Sequence, residues 1–357
     1  MKSLLKPILA LVLTFAPLAL AQELAKGTEG EFVVHNFRFR SGEVLQEMRL
    51  HYATYGKPVT DSSGRVTNAV MVLHGTTGSG QQFTGARFAV LFGPGQLLDA
   101  NRYFIILPDS VGHGHSSKPS DGMHMRFPHY DYDDMVEAQH LLLTEGLKVN
   151  HLRLLIGTSM GCMHSWVWAE TYPDFMDAVM PLACLPVQIA GRNRMMRKMV
   201  MDSITSDPAW MNGEYRRPPQ LGLRGAINVL LIMTSSPLQM QKAEPTRDQA
   251  DAFVDRFMKS EMEDLEPNDT LYAFNASRNY DPSPKLGGIK AHVTFINSAD
   301  DQINPPELGI AEREIKKVKN GRFVLLPISD QTRGHGTHSL PVVWKQYLVE
   351  LLAKSEH

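Results

Sequence analysis

The chain has 357 residues, 43% of them hydrophobic and 21% charged, with 36 Lys and Arg against 38 Asp and Glu. These proportions exclude a disordered or collagen-like chain, supply ample apolar material for a large core, and show no basic excess toward nucleic acid. Two cysteines, Cys162 and Cys184, are too few for a disulfide framework.

Met1, Lys2 and Lys6 open the chain, followed by an almost wholly apolar or small stretch from Ile8 to Leu20. Ala19-Leu20-Ala21 closes it with a small-residue cleavage pattern. Residues 1–21 therefore read as a secretory signal peptide, with the mature chain starting near Gln22. The apolar stretch is short for a membrane span, which needs about 20 residues, and no later segment is long and apolar enough. Export predicts a periplasmic or secreted protein of 34 basic and 38 acidic residues. That compartment is oxidising, so Cys162 and Cys184 have the chance to pair.

Phe32 to Phe39 and Met48 to Tyr55 read as a hairpin turned at Ser41-Gly42. Short apolar runs follow at Ala69–Leu73, Tyr103–Leu107, Leu152–Ile156, Ala178–Ala183, His292–Ile296 and Phe323–Leu326. Such runs suit parallel strands covered on both faces. Helical spacing lies between them at Met135, Ala138, Leu141, Leu142 and Glu145, and again at Pro341, Trp344, Tyr347, Leu348 and Leu351. The alternation predicts an α/β fold with a mostly parallel central sheet flanked by helices. Residues 186–288 break it. They carry no clear strand and nine methionines, and Thr246 with Gln249 forms a capping box before Phe253, Val254, Phe257 and Met258. We expect a helical cap there, inserted between core segments 22–185 and 289–357, its methionines serving more as adaptable core than as a binding surface, with a substrate-facing role open for some of them.

Gly157-Thr158-Ser159-Met160-Gly161 stands between an apolar strand and a helical run. A bare GxSxG is a weak signal, but a tight strand-to-helix turn needs small residues on either side of the serine. Such a turn pushes the hydroxyl out at the end of a sheet, with a helix N-terminus behind it. Serine is a poor nucleophile unless a base takes its proton, and a histidine oriented by a carboxylate supplies one. The order in this architecture is Ser, acid, His. After the insertion, Asp300 and Asp301 compete for the acid, Asp301 having the better spacing to Pro305-Pro306. After the last strand, His335 and His338 compete for the base, His335 leaving room before the final helix. The amides of Met160 and Thr76 are the expected oxyanion donors. Thr76-Thr77-Gly78-Ser79-Gly80 lacks the lysine of a phosphate-binding loop. His335 and His338 form HxxH, but no HExxH or paired CxxC exists, so neither metal nor cofactor is expected.

Together these residues resemble the α/β-hydrolase fold and, more narrowly, its homoserine O-acetyltransferase branch. Gly157 to Met163 is similar to the GGSMGGM elbow of that branch. Phe127-Pro128, Asp134-Met135-Val136 and Gln139 look like its FP…DMV..Q stretch. Asp207 to Trp210 with Gly213-Glu214-Tyr215 resembles a patch in its cap, and Asp301 with Pro305-Pro306 its DxLFPP element. The resemblance implies acyl-enzyme chemistry on Ser159, Asp301 and His335. It also shows departures. Gly336 follows His335 where the family has an aspartate that helps hold the substrate amine. Met201 falls where the family has an arginine for the substrate carboxylate, with Arg194 or Arg197 as substitutes. The family's HALTG loop is here His74-Gly75-Thr76-Thr77-Gly78. Its enzymes are cytosolic, where acetyl-CoA is available, so an exported relative is expected to use water as acceptor. The expectation is an exported serine hydrolase of a small-molecule ester, lactone or activated amide, monomeric or homodimeric. Its rivals are an acyltransferase with another acceptor and a non-catalytic binding protein.

Overall fold

The computed structural model describes residues 27–356; the expected signal peptide lies outside the described residues. Eight strands form one sheet: β1 (Thr28–Arg38), β2 (Val44–Tyr55), β3 (Ala69–Leu73), β4 (Phe104–Pro108), β5 (Leu154–Thr158), β6 (Ala178–Leu182), β7 (His292–Ser298) and β8 (Gly321–Leu326). Their order is β1-β2-β4-β3-β5-β6-β7-β8. β1, β2 and β4 pair antiparallel, and every pair from β4 onward through the sheet is parallel. The hairpin and each apolar run expected from the sequence correspond to these strands.

Among the described residues, ten α-helices accompany the sheet: α1 (Ala86–Phe92), α2 (Tyr132–Leu141), α3 (Met160–Thr171), α4 (Gly191–Thr205), α5 (Gln220–Thr234), α6 (Pro237–Ala243), α7 (Arg247–Asp264), α8 (Pro267–Asn275), α9 (Ile310–Glu314) and α10 (Pro341–Lys354). The pleat explains why both sheet faces are apolar. Along β3, Ala69, Met71 and Leu73 join one core with Trp166 and Trp168 of α3. Val70 and Val72 join the other with Phe88 and Phe92 of α1 and Trp344 of α10.

Helices α4 to α8 all lie between β6 and β7. They carry an apolar cluster of their own, built on Met196, Val200, Ile204, Ala226 and Leu230. Thr246 caps α7 through the capping box its sequence predicts. Of the nine insertion methionines, Met196, Met233 and Met258 are buried, and Met233 lines the cavity described below. Met195, Met199 and Met211 face solvent. Helical periodicity is the reason, because Met196, Val200 and Ile204 recur at four-residue spacing on the inner face of α4 and turn Met195 and Met199 outward.

Candidate active site

The sharp turn between β5 and α3 carries Ser159 at φ 53° and ψ −108°, a strained conformation for a residue with a side chain. Glycine is required on both sides. A Cβ on Gly157 would collide with Gly161 O and Ser165 Oγ, and one on Gly161 with the backbone of Leu73. The turn is held by Ser159 N–H donating to Leu182 O at 2.9 Å and Gly161 N–H to His74 O at 2.9 Å.

Ser159 Oγ lies 2.8 Å from His335 Nε2, and His335 Nδ1 lies 2.9 Å from Asp301 Oδ2. Since an ionised carboxylate only accepts, His335 carries its proton on Nδ1 and presents a lone pair to the serine hydroxyl. Asp301 is 1% exposed. It also accepts from Ile303 N–H at 2.8 Å, Asn304 N–H at 3.3 Å and the Asn304 side-chain amide at 3.0 Å. Burial pushes its carboxyl up, but the His335 ring and these donors outweigh that and hold it below the ordinary carboxylate value. Ser159 thus meets residues more than 140 positions further along the chain, beyond the C-terminal ends of β5, β7 and β8, where open parallel sheets place ligands.

The competing candidates are elsewhere. Asp300 turns to Gly334 N–H, Ser236 Oγ and Ser298 Oγ. The His338 ring stands 5.2 Å from the His335 ring and bonds Ser339 Oγ instead. Burial and the neighbouring His335 bring its pKa down to about 3, so it is neutral at pH 7.

Met160 is the first residue of α3, where an N–H has no place in the helical ladder. On the opposite side, Gly75 approaches Ser159 closely enough that a Cβ would stand 3.4 Å from that of the serine. His74, whose part sequence reasoning missed, orients this loop. Its Nε2 accepts from Ser110 N–H at 3.0 Å, which leaves the proton on Nδ1, 2.8 Å from Gly75 O. In a trans peptide the N–H points opposite to the carbonyl. The Thr76 N–H is therefore directed away from His74. Burial, then the nearby His113 ring, lowers His74 to about 4 and keeps it neutral. His113 meets the same loop, its Nε2 2.8 Å from Thr76 O. A histidine preceding the loop glycine was the available signal for His74; nothing local marked His113.

Ser159, His335, Gly75 and Thr76 open onto a cavity of about 570 Å³ between the sheet and the insertion. Its walls are largely apolar, with Val187, Ile189, Leu230, Met233 and Phe274, but they include Arg197. Arg197 is 4% exposed. It donates to Asn193 Oδ1 at 2.9 Å and Ser277 Oγ at 3.2 Å and lies over the Phe274 ring, with no carboxylate paired to it among the described residues. Cys184 also lines the cavity and is disulfide-bonded to Cys162, three residues after Ser159. The bond ties the first turn of α3 to the segment leaving β6.

A strained serine turn on a mostly parallel sheet, facing a histidine and an aspartate from later strands, defines an α/β-hydrolase architecture. Residues 68–327 match the family model of the alpha/beta hydrolase fold, and the chain belongs to that family, near its homoserine O-acetyltransferase branch. It is 33% identical over 280 residues to a probable acyltransferase of Methanothermobacter thermautotrophicus, covering 78% of this chain and 84% of that one. It is 30% identical over 335 residues to the homoserine O-acetyltransferase of Pelobacter propionicus, covering 84% and 88%. Among solved structures it is similar to the acetyl esterase MekB, with a TM-score of 0.79 and 26% identity over 93% of this chain and 99% of that one.

Proposed function

We propose that the protein is an exported serine hydrolase that cleaves a carboxylic ester through an acyl-enzyme. The observation that carries this reading is the hydrogen-bonded line from Ser159 through His335 to buried Asp301, opening on an apolar cavity. Ser159 Oγ attacks the acyl carbonyl as His335 Nε2 takes its proton. The amides of Met160 and Thr76 hold the resulting oxyanion. His335 returns the proton to the leaving alcohol, and the acyl-enzyme forms. Water, deprotonated by the same ring, then releases the acid. Asp301 keeps the ring in the required tautomer and stabilises its cation. Helices α4 to α8 serve as a cap that keeps bulk water from the acyl group. The Cys162–Cys184 disulfide supports an oxidising compartment, and with it export.

One observation favours a second reading, acyl transfer to a carboxylate-bearing acceptor. Arg197 is a buried cation without an acidic partner among the described residues, which an anionic substrate group would supply. Against that acceptor being an amino acid, Gly336 offers no side chain to an ammonium group.

Incubation of the mature enzyme with p-nitrophenyl esters of rising chain length, with and without an alcohol acceptor, tests the first reading. Free acid as the main product is expected. In parallel, acetyl-CoA with homoserine should yield negligible O-acetylhomoserine. Its formation at kcat/KM on the order of 10⁴ M⁻¹s⁻¹ or above would establish the second reading instead.

A further inference from the structure

The aspartate that does not touch His335 has an unusual set of partners. Asp300 Oδ2 accepts from Gly334 N–H at 2.9 Å and from Ser236 Oγ at 3.1 Å, and Oδ1 accepts from Ser298 Oγ. These donors belong to three separate parts of the molecule. Ser298 ends β7, Ser236 joins α5 to α6 in the insertion, and Gly334 immediately precedes His335. Gly334 sits at φ +57°, packed against Ser236. Ser236 is 2% exposed, so its hydroxyl needs the carboxylate as acceptor. Two further contacts join α6 to the same loop. The Gln239 side-chain amide donates to Ser329 O at 3.1 Å, and Lys242 Nζ meets Asp330.

We propose that Asp300 is a positioning residue that locks the loop carrying His335 to the α5–α6 corner of the insertion, so that the seating of the insertion sets the reach of the base to Ser159. The inference rests on the hydrolase reading above. The physical reason is that a bond to a charged carboxylate is short and directional. The peptide it holds, Arg333–Gly334, lies one residue before His335. Without it, the Gly334 end of the loop loses its link to β7 and to Ser236, the α6 contacts at Ser329 and Asp330 holding only its far end, and the 2.8 Å approach of His335 Nε2 to Ser159 Oγ loses its nearest support. Misplacement of a reacting group by about 1 Å costs roughly 10²-fold in rate.

The test measures kcat and KM for a small neutral p-nitrophenyl ester, normalised to active sites titrated with a serine-reactive phosphonate. Asp300→Ala is expected to lower kcat per active site by about 10- to 100-fold with KM changed less than about threefold. Asp300→Asn is expected to stay within about threefold of wild type, since an amide oxygen accepts from Gly334 and Ser236 while its NH₂ donates to Ser298. Ser236→Ala, remote from the reacting atoms, is expected to lower kcat about threefold. Combined with Asp300→Ala, it should add less than about twofold, because both remove the same link. Wild-type kcat in Asp300→Ala, or in Ser236→Ala should the former fail to fold, overturns the inference. So does a loss in Asp300→Asn as large as in Asp300→Ala, or fully multiplicative losses in the double variant. Ser159→Ala is assayed alongside. Turnover surviving in it removes the hydrolase reading and the inference together, whereas an inactive Ser159→Ala beside an unaffected Asp300→Ala removes the inference alone.

Discussion

Two histidine–aspartate pairs on this sheet are near twins in geometry and differ in what they face. His335 and Asp301 are 2.9 Å apart, and so are His51 on β2 and Asp109 just after β4. All four side chains are buried. The outer nitrogen of His335 meets a serine hydroxyl at 2.8 Å; that of His51 has Glu29 at 3.8 Å. Asp109 also accepts from Gly80 N–H at 2.7 Å and His115 N–H at 2.9 Å, which pins the loop after β3 to the loop after β4. The His51–Asp109 pair is therefore a structural fastener. What sets the His335 pair apart is a hydroxyl delivered by a strained turn into a cavity.

The largest expected effects break this comparison. Ser159→Ala and His335→Ala should each lower ester turnover at least about 10³-fold, and Asp301→Asn about 10⁴-fold, in steady-state assays with folding unchanged by circular dichroism. His338→Ala should cost much less than His335→Ala. Asp109→Asn should leave kcat within about tenfold while removing about 1–3 kcal/mol of stability in urea unfolding, since it weakens anchors to buried N–H groups. A thousandfold kcat loss in Asp109→Asn would erase the distinction between the pairs.

A second prediction sharpens what the cavity accepts. Arg197→Met should raise KM for an ester bearing a terminal carboxylate by about 10- to 100-fold, the worth of a charged hydrogen bond, and leave a neutral ester within about threefold. Equal changes for both esters would mean that Arg197 only supports Ser277 and Phe274.

The smallest effect concerns pH and the seam between insertion and sheet. Burial, then the neighbouring Asp269, pushes Glu266 up to about 7. The unfolded chain releases that proton near the ordinary glutamate value of about 4.3. Between these values the native state binds more protons, so stability falls as pH rises from about 4.5 to 7. Glu266→Gln keeps an acceptor for Asp269 N–H and cannot ionise. It should flatten this slope by on the order of 1–2 kcal/mol between pH 5 and 8 in thermal or urea unfolding. Glu170, also raised to about 7 by burial, leaves a residual slope.

Much of the fold was legible because its signals are local. Short apolar runs announce doubly covered strands, and Thr246 with Gln249 announces the start of α7. The region around Ser159 was legible for a steric reason: only glycines at 157 and 161 let helix and strand close around the turn. The insertion was less legible in detail: its methionine count did not say which would be buried, and the phase of α4 turns Met196 inward and Met195 and Met199 outward.

The strand and helix segments along the chain and the glycine-flanked serine were thus determined by the sequence alone, because backbone sterics and hydrophobic period act between near neighbours. Spacing to Pro305-Pro306 favoured Asp301 over Asp300, but which side chain reaches His335 was decided only by the direction each takes after β7 has paired with β6 and β8. The same holds for His335 against His338, for the orienting role of His74 on the Thr76 loop, and for the unpaired burial of Arg197. Each depends on contacts between segments far apart in the chain, and only the packed sheet with its insertion brings them within hydrogen-bond reach.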